Sequence, residues 1–201
     1  MEEKKLTEKE SLDIIQQMIQ VAKEDHRETG EGWLIWGWLL FVTSLGSVLF
    51  SYTGLERYIG LLWWGMLIAG FLVGVLTYLW ERKKNINVRT YVQELLDRSA
   101  AGFFISLLIM IAASMMSRVN FAFGYYYILY AFWMFIHGSA IRFRPLIIGA
   151  VVNWAAAIAI FIIEDFKYDM MVSAVAVLAG YLIPGYMLRS KYRKKMERKT
   201  E

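Results

Sequence analysis

Trp33–Tyr52 reads WLIWGWLLFVTSLGSVLFSY, a stretch of 20 residues without one Asp, Glu, Lys or Arg. A helix rises about 1.5 Å per residue, so about 20 apolar residues cross roughly 30 Å of hydrocarbon. Five more stretches pass the same test: Tyr58–Trp80, Ala100–Ser117, Val119–Ile141, Pro145–Ile163 and Met170–Leu188. None of the six holds an Asp, Glu, Lys or Arg, and together they account for 122 of the 201 residues. Little is left for a soluble domain. The expected fold is all-α: a polytopic six-helix transmembrane bundle over residues 33–188, with two cytosolic amphipathic helices.

The charges outside these stretches set an orientation. Five Lys and Arg precede the first span, five lie in 81–99, two in 142–144 and seven in the tail from Arg189 to Lys199. The three alternate loops carry one each, Arg57, Arg118 and Lys167. Nineteen against three is a strong positive-inside bias, which puts both termini in the cytosol and, in a bacterium, the chain in the plasma or inner membrane. Missing or inventing one span would scramble the alternation. Trp33, Trp36, Trp80, Tyr186 and Tyr192 then fall near the cytosolic interface, where an amphipathic ring prefers to sit. Tyr52, Tyr58 and Tyr168 fall near the outer one.

Composition narrows the chemistry. Apolar residues make up 58% of the chain, against roughly 45–50% in a soluble domain. With no Cys there is no disulfide, no Cys-based zinc site and no thiol nucleophile. The basic excess borders apolar segments rather than covering one soluble face, so membrane lipid is its expected partner and nucleic acid is not.

The segments outside the spans carry signals of their own. Thr7-x-x-Glu10 reads as a capping box opening a helix with Leu12, Ile15, Ile19 and Ala22 on one face. A second apolar face joins Val88, Tyr91, Val92, Leu95 and Leu96. Each such helix would lie in the headgroup region or dock on a protein partner or a second copy of the chain. Thr29-Gly30-Glu31-Gly32 reads as a flexible joint closing the N-terminal segment 1–32, and 189–201 as a basic cytosolic tail. Gly70-x-x-x-Gly74 offers close packing, within the bundle or in a homo-oligomer.

One polar constellation lies within the spans. Tyr126, Tyr130, Trp133 and His137 are four, three and four residues apart and share a helix face. Asn153 is expected at the depth of Trp133, with that stripe as its partner. Pro184 removes a donor and is expected to kink the last span by leaving the Gly180 carbonyl unbonded, with Arg142 and Arg144 at the mouth of the opening. The stripe reads either as interhelical packing or as a cytosol-facing pocket with an aromatic floor and a cationic rim, suited to a lipid headgroup or other amphiphilic anion.

Catalysis finds little support. No span contains a carboxylate, neither HExxH nor a Ser/His/Asp arrangement occurs, and a haem on His137 would need His26 opposite it. No catalytic residue, metal site or cofactor is assigned, and no motif is specific enough to name a family. The expected function is a non-enzymatic regulatory, sensory or accessory membrane protein. The alternatives are a small-solute or lipid transporter built as two inverted halves and, behind it, an intramembrane enzyme.

Overall fold

A computed structural model describes residues 29–83, 91–116, 123–163 and 165–200. Every element among them is helical. Helix α1 spans Glu31–Thr53, α2 Ile59–Lys83, α3 Tyr91–Met116, α4 Gly124–Ala140 and α5 Arg144–Ile163. A 3-10 turn at Glu56–Tyr58 leads into α2. The final run is α6 Phe166–Val177, a π-helical turn Leu178–Leu182 and α7 Ile183–Thr200.

Among the described residues, five segments are long and apolar enough to cross a membrane: Glu31–Thr53, Glu56–Thr77, Glu94–Met115, Arg144–Ile163 and Phe166–Lys194. Helix α4 has 17 described residues, about 26 Å of rise. The residues expected to begin that span lie outside the described ones, as does the N-terminal amphipathic stretch. The second amphipathic stretch is not a separate helix. From Tyr91 onward it forms the first turns of α3, in which Leu96 is buried while Val92 and Leu95 are exposed.

A tight α4–α5 hairpin and the α1–α6 pair form the core, with the π turn and α7 packed on both. Helix α2 approaches only α1, and α3 only α4, at backbone distance among the described residues. Both are largely exposed.

Small residues bring α1 and the last helical run together. A Cβ on Gly37 would stand 2.9 Å from the Leu182 side chain, and one on Gly30 would stand 2.9 Å from the Gly185 carbonyl. These two pairings run in opposite senses, so the helices are antiparallel. Further along, Thr43, Ser44, Ser47 and Ser51 are buried on α1, with Ser173 buried on α6. Thr43, Ser47 and Ser51 donate to the carbonyl four residues back at 2.7, 2.8 and 2.9 Å, which satisfies each hydroxyl within the helix. Such side chains let backbones approach closely in an apolar environment.

The α4–α5 turn is a Schellman motif: Phe143 N–H donates to the Gly138 carbonyl at 2.8 Å and Arg142 N–H to Ser139 at 3.2 Å. It places Arg142 at φ 52°, a left-handed position that favours glycine.

The expected opening at Pro184 takes another form. Ile183 N–H donates to the Leu178 carbonyl, five residues back, so a π turn stands directly before the proline and the helix continues through it. The wide turn presents Gly180 to Gly149 of α5: a Cβ on Gly149 would stand 2.7 Å from the Gly180 oxygen and 2.8 Å from Met134 Cε. The joint at 29–32 also differs from expectation. Gly32 already lies in α1, and Gly30 adopts a left-handed φ of 77° against α7. Asp169, which the apolar stretches exclude, lies inside α6 and is buried, with one carboxyl oxygen lacking a hydrogen-bond partner among the described residues.

Candidate functional site

Helix α4 positions three of the expected residues on one face. Tyr130, Trp133 and His137 line a cleft of about 310 Å³ whose other walls come from α1, α3 and the π turn. From α1 and the residues before it come Thr29, Gly30, Gly32, Trp33, Trp36 and Leu40. Helix α3 gives Phe103, Phe104 and Leu107, and the π turn gives Tyr181.

Six of these rings form a closed circuit. Trp33 meets His137 edge-on at 5.2 Å between ring centres, and His137 meets Trp133 at 5.2 Å. Trp133 stacks on Phe103 at 5.4 Å with 29° between planes, and Phe103 lies 5.5 Å from Tyr130. Tyr130 reaches Tyr181 at 6.2 Å, and Tyr181 returns to Trp33 at 5.6 Å. Offset and edge-to-face pairs at such distances contribute about 0.5–1.5 kcal/mol each beyond burial. The circuit therefore ties α1, α3, α4 and the π turn together at the end of the bundle where α1 begins.

The remaining expected residues lie elsewhere. Tyr126 is eleven positions before His137, about 16 Å along α4; its hydroxyl is 3.4 Å from Ser114 Oγ and its ring packs on Phe123. Asn153 is fully buried but faces the π turn rather than the stripe: Nδ2 donates to the Gly149 carbonyl at 2.8 Å and lies 3.5 Å from Met134 Sδ. The same Nδ2 abuts Gly180, and Oδ1 has no partner among the described residues. Asn153 meets Met134, the neighbour of Trp133 in sequence, and depth does not fix the direction in which a side chain points around the helix. Arg142 and Arg144 are exposed and do not line the cleft. His26 lies outside the described residues.

The sequence reading missed Trp33, Trp36, Phe103, Phe104 and Tyr181. Trp33 is 7% exposed and belongs to the core rather than to an interfacial belt. Trp36 lies between α2 and α3, against Gly70 on one side and 6.2 Å from the Phe104 ring on the other. Gly70 thus serves packing within the chain, while a Cβ on Gly74 would meet nothing within 4 Å.

Among the described residues no Asp, Glu, Lys or Arg lines the cleft. Its walls are flat and apolar, and its polar atoms are indole, phenol, imidazole, hydroxyl and backbone groups. Such a surface can bind and orient a small molecule. Comparison with known protein families, curated proteins and solved structures finds no match to this chain.

Proposed function

We propose that the chain is a six-pass membrane protein with both termini in the cytosol, acting as a non-enzymatic regulatory or accessory protein. In this reading the aromatic cleft receives a small ligand on the cytosolic side, and its occupancy is passed to the cytosolic segments and their protein partner. One observation carries the proposal. Thr29 and Gly30, where the N-terminal segment joins α1, are wall residues of the cleft, and Gly30 is seated against Gly185, Leu188 and Arg189 of α7. Both charged ends therefore leave the bundle from the rim of one cleft. A ligand that shifts Trp33 or Thr29 moves the base of both.

Two further features support this reading over solute carriage. Tyr127, Ala156, Ala157, Ile160 and Ala176 close the opposite end of the bundle as a packed core. Among the described residues, helices α5 and α6 pack on each other while α2 and α3 make no close backbone approach, which speaks against two halves built as an inverted repeat.

The test is deletion of residues 1–24. The truncated chain is expected to insert and melt as the full chain does, yet lose the proteins that co-purify with it from solubilised membranes. Recovery of the same partners by the truncated chain overturns the proposal.

A further inference from the structure

The polar character of the cleft narrows its ligand, on the reading that the cleft is a ligand site. Its three indole N–H groups, on Trp33, Trp36 and Trp133, can only donate. At the start of α1, Thr29 Oγ1 accepts from the Glu31 N–H at 3.4 Å, while the N–H groups of Gly32 and Trp33 have no intrahelical acceptor by position. Tyr130 and Tyr181 bring phenol oxygens that accept as well as donate, while the His137, Gly138 and Ser139 carbonyls at the end of α4 already accept from Ile141, Phe143 and Arg142. The indoles, which can only donate, suit a ligand that brings acceptors.

Charge and shape narrow it further. A buried anion or cation without an opposite charge is strongly disfavoured, and among the described residues no charged side chain lines the cleft. The volume is at the small end for ligand sites, enough for one compact ring system. Phe103 and Trp133 stack on each other at 29°, so a flat guest can extend that stack on an outer ring face. Phe104, at the rim, is 43% exposed on the apolar outside of α3, so a hydrocarbon tail can remain outside while a ring enters.

We infer that the cleft binds an uncharged planar ring bearing carbonyl oxygens, a quinone-type headgroup held by aromatic stacking and by donors on Trp133, Tyr130 and the α1 N-terminus.

The test uses the full-length chain in lipid nanodiscs and equilibrium binding of two ligands, bare 2-methyl-1,4-naphthoquinone and the same ring with a prenyl tail. Benzoate and tetramethylammonium serve as charged competitors. Saturable binding of either quinone supports the inference; a preference for the tailed form assigns the source to the bilayer, and a preference for the bare ring assigns it to the aqueous phase. Trp133→Phe and Tyr130→Phe keep a ring and remove a donor, so each is expected to weaken binding about two- to tenfold. Gly32→Leu is the blocking variant: Gly32 lines the cleft and a Cβ there meets nothing within 4 Å among the described residues, so the helices tolerate it while the side chain occupies the cleft. It is expected to abolish binding without changing the melting temperature.

Binding of benzoate or tetramethylammonium in place of the quinones, still blocked by Gly32→Leu, overturns the ligand class and leaves the cleft as a ligand site. Absence of binding by all four compounds to a chain that melts normally overturns this inference. Quinone binding unaffected by Gly32→Leu and by both donor variants places it outside the cleft and also overturns the inference.

Discussion

The contact between Gly149 and Gly180 is a close backbone approach, and a methyl group is enough to test it. In Gly149→Ala the new Cβ would stand 2.7 Å from the Gly180 oxygen, 2.8 Å from Met134 Cε and 3.0 Å from Gly180 Cα. Two of those atoms are backbone, so relief requires α5 and the π turn to separate. Overpacking of this kind costs about 1–3 kcal/mol. Alanine also gains about 1 kcal/mol over glycine in a helix, which would mask part of the loss. Gly74→Ala is the matched control, because it receives the same gain at a site with nothing within 4 Å. A chain of this size shifts its melting temperature by about 2–4 °C per kcal/mol. Gly149→Ala is therefore expected to melt about 6 °C below Gly74→Ala, followed by intrinsic fluorescence of the eight Trp in nanodiscs. Equal melting temperatures for the two variants would refute the close approach of α5 to the π turn.

Other perturbations have signed outcomes. Arg142→Gly relieves a left-handed residue and is expected to stabilise by about 1 kcal/mol, raising the melting temperature by roughly 3 °C; a lower value contradicts the Schellman turn. Asn153→Leu replaces a fully buried amide whose Oδ1 lacks a partner among the described residues, so it is expected to cost under about 1 kcal/mol in thermal unfolding. A loss of more than about 3 kcal/mol would mean that the amide is a structural bond. Trp33→Ala opens the ring circuit from α1 and is expected to cost about 3–5 kcal/mol, whereas Trp33→Phe retains most of that in the same melt. Near-equal effects of the two substitutions would contradict the core placement of Trp33.

Much of the helical plan was legible because hydropathy and helix length agree in this chain. The stretch read as 33–52 is helix Glu31–Thr53, and 145–163 is Arg144–Ile163. Where they disagree, hydropathy marks where polar surroundings would begin, not where the backbone unwinds. The span read as 100–117 starts at Tyr91, because Glu94 and Arg98 form an i,i+4 pair on the exposed surface of the same helix. The span read as 170–188 runs from Phe166 through Thr200, past seven Lys and Arg that a solvated helix accommodates.

The site was legible on one helix only. Spacing of three and four residues identifies Tyr130, Trp133 and His137 as one face, since neighbours on a helix are fixed by its period. It cannot say which residues of other helices face them. Trp33 and Trp36 share that spacing with Leu40 on α1, which is the one signal that could have separated a buried aromatic face from an interfacial belt. For Phe103 and Tyr181 no local signal exists. Their places follow from α3 leaning on α4 and from a π turn that resets the helix face before Pro184.

Thiol labelling tests the central claim, six spans with the cleft on the cytosolic side, most directly. The chain contains no Cys, so single-cysteine variants report without background. Leu55→Cys and Tyr168→Cys sit at one end of the bundle, Ser139→Cys and Ser190→Cys at the other, and all four positions are exposed. A membrane-impermeant maleimide is expected to label Leu55→Cys and Tyr168→Cys in intact cells, and Ser139→Cys and Ser190→Cys only after permeabilisation. Labelling of Ser139→Cys or Ser190→Cys from outside intact cells would contradict it.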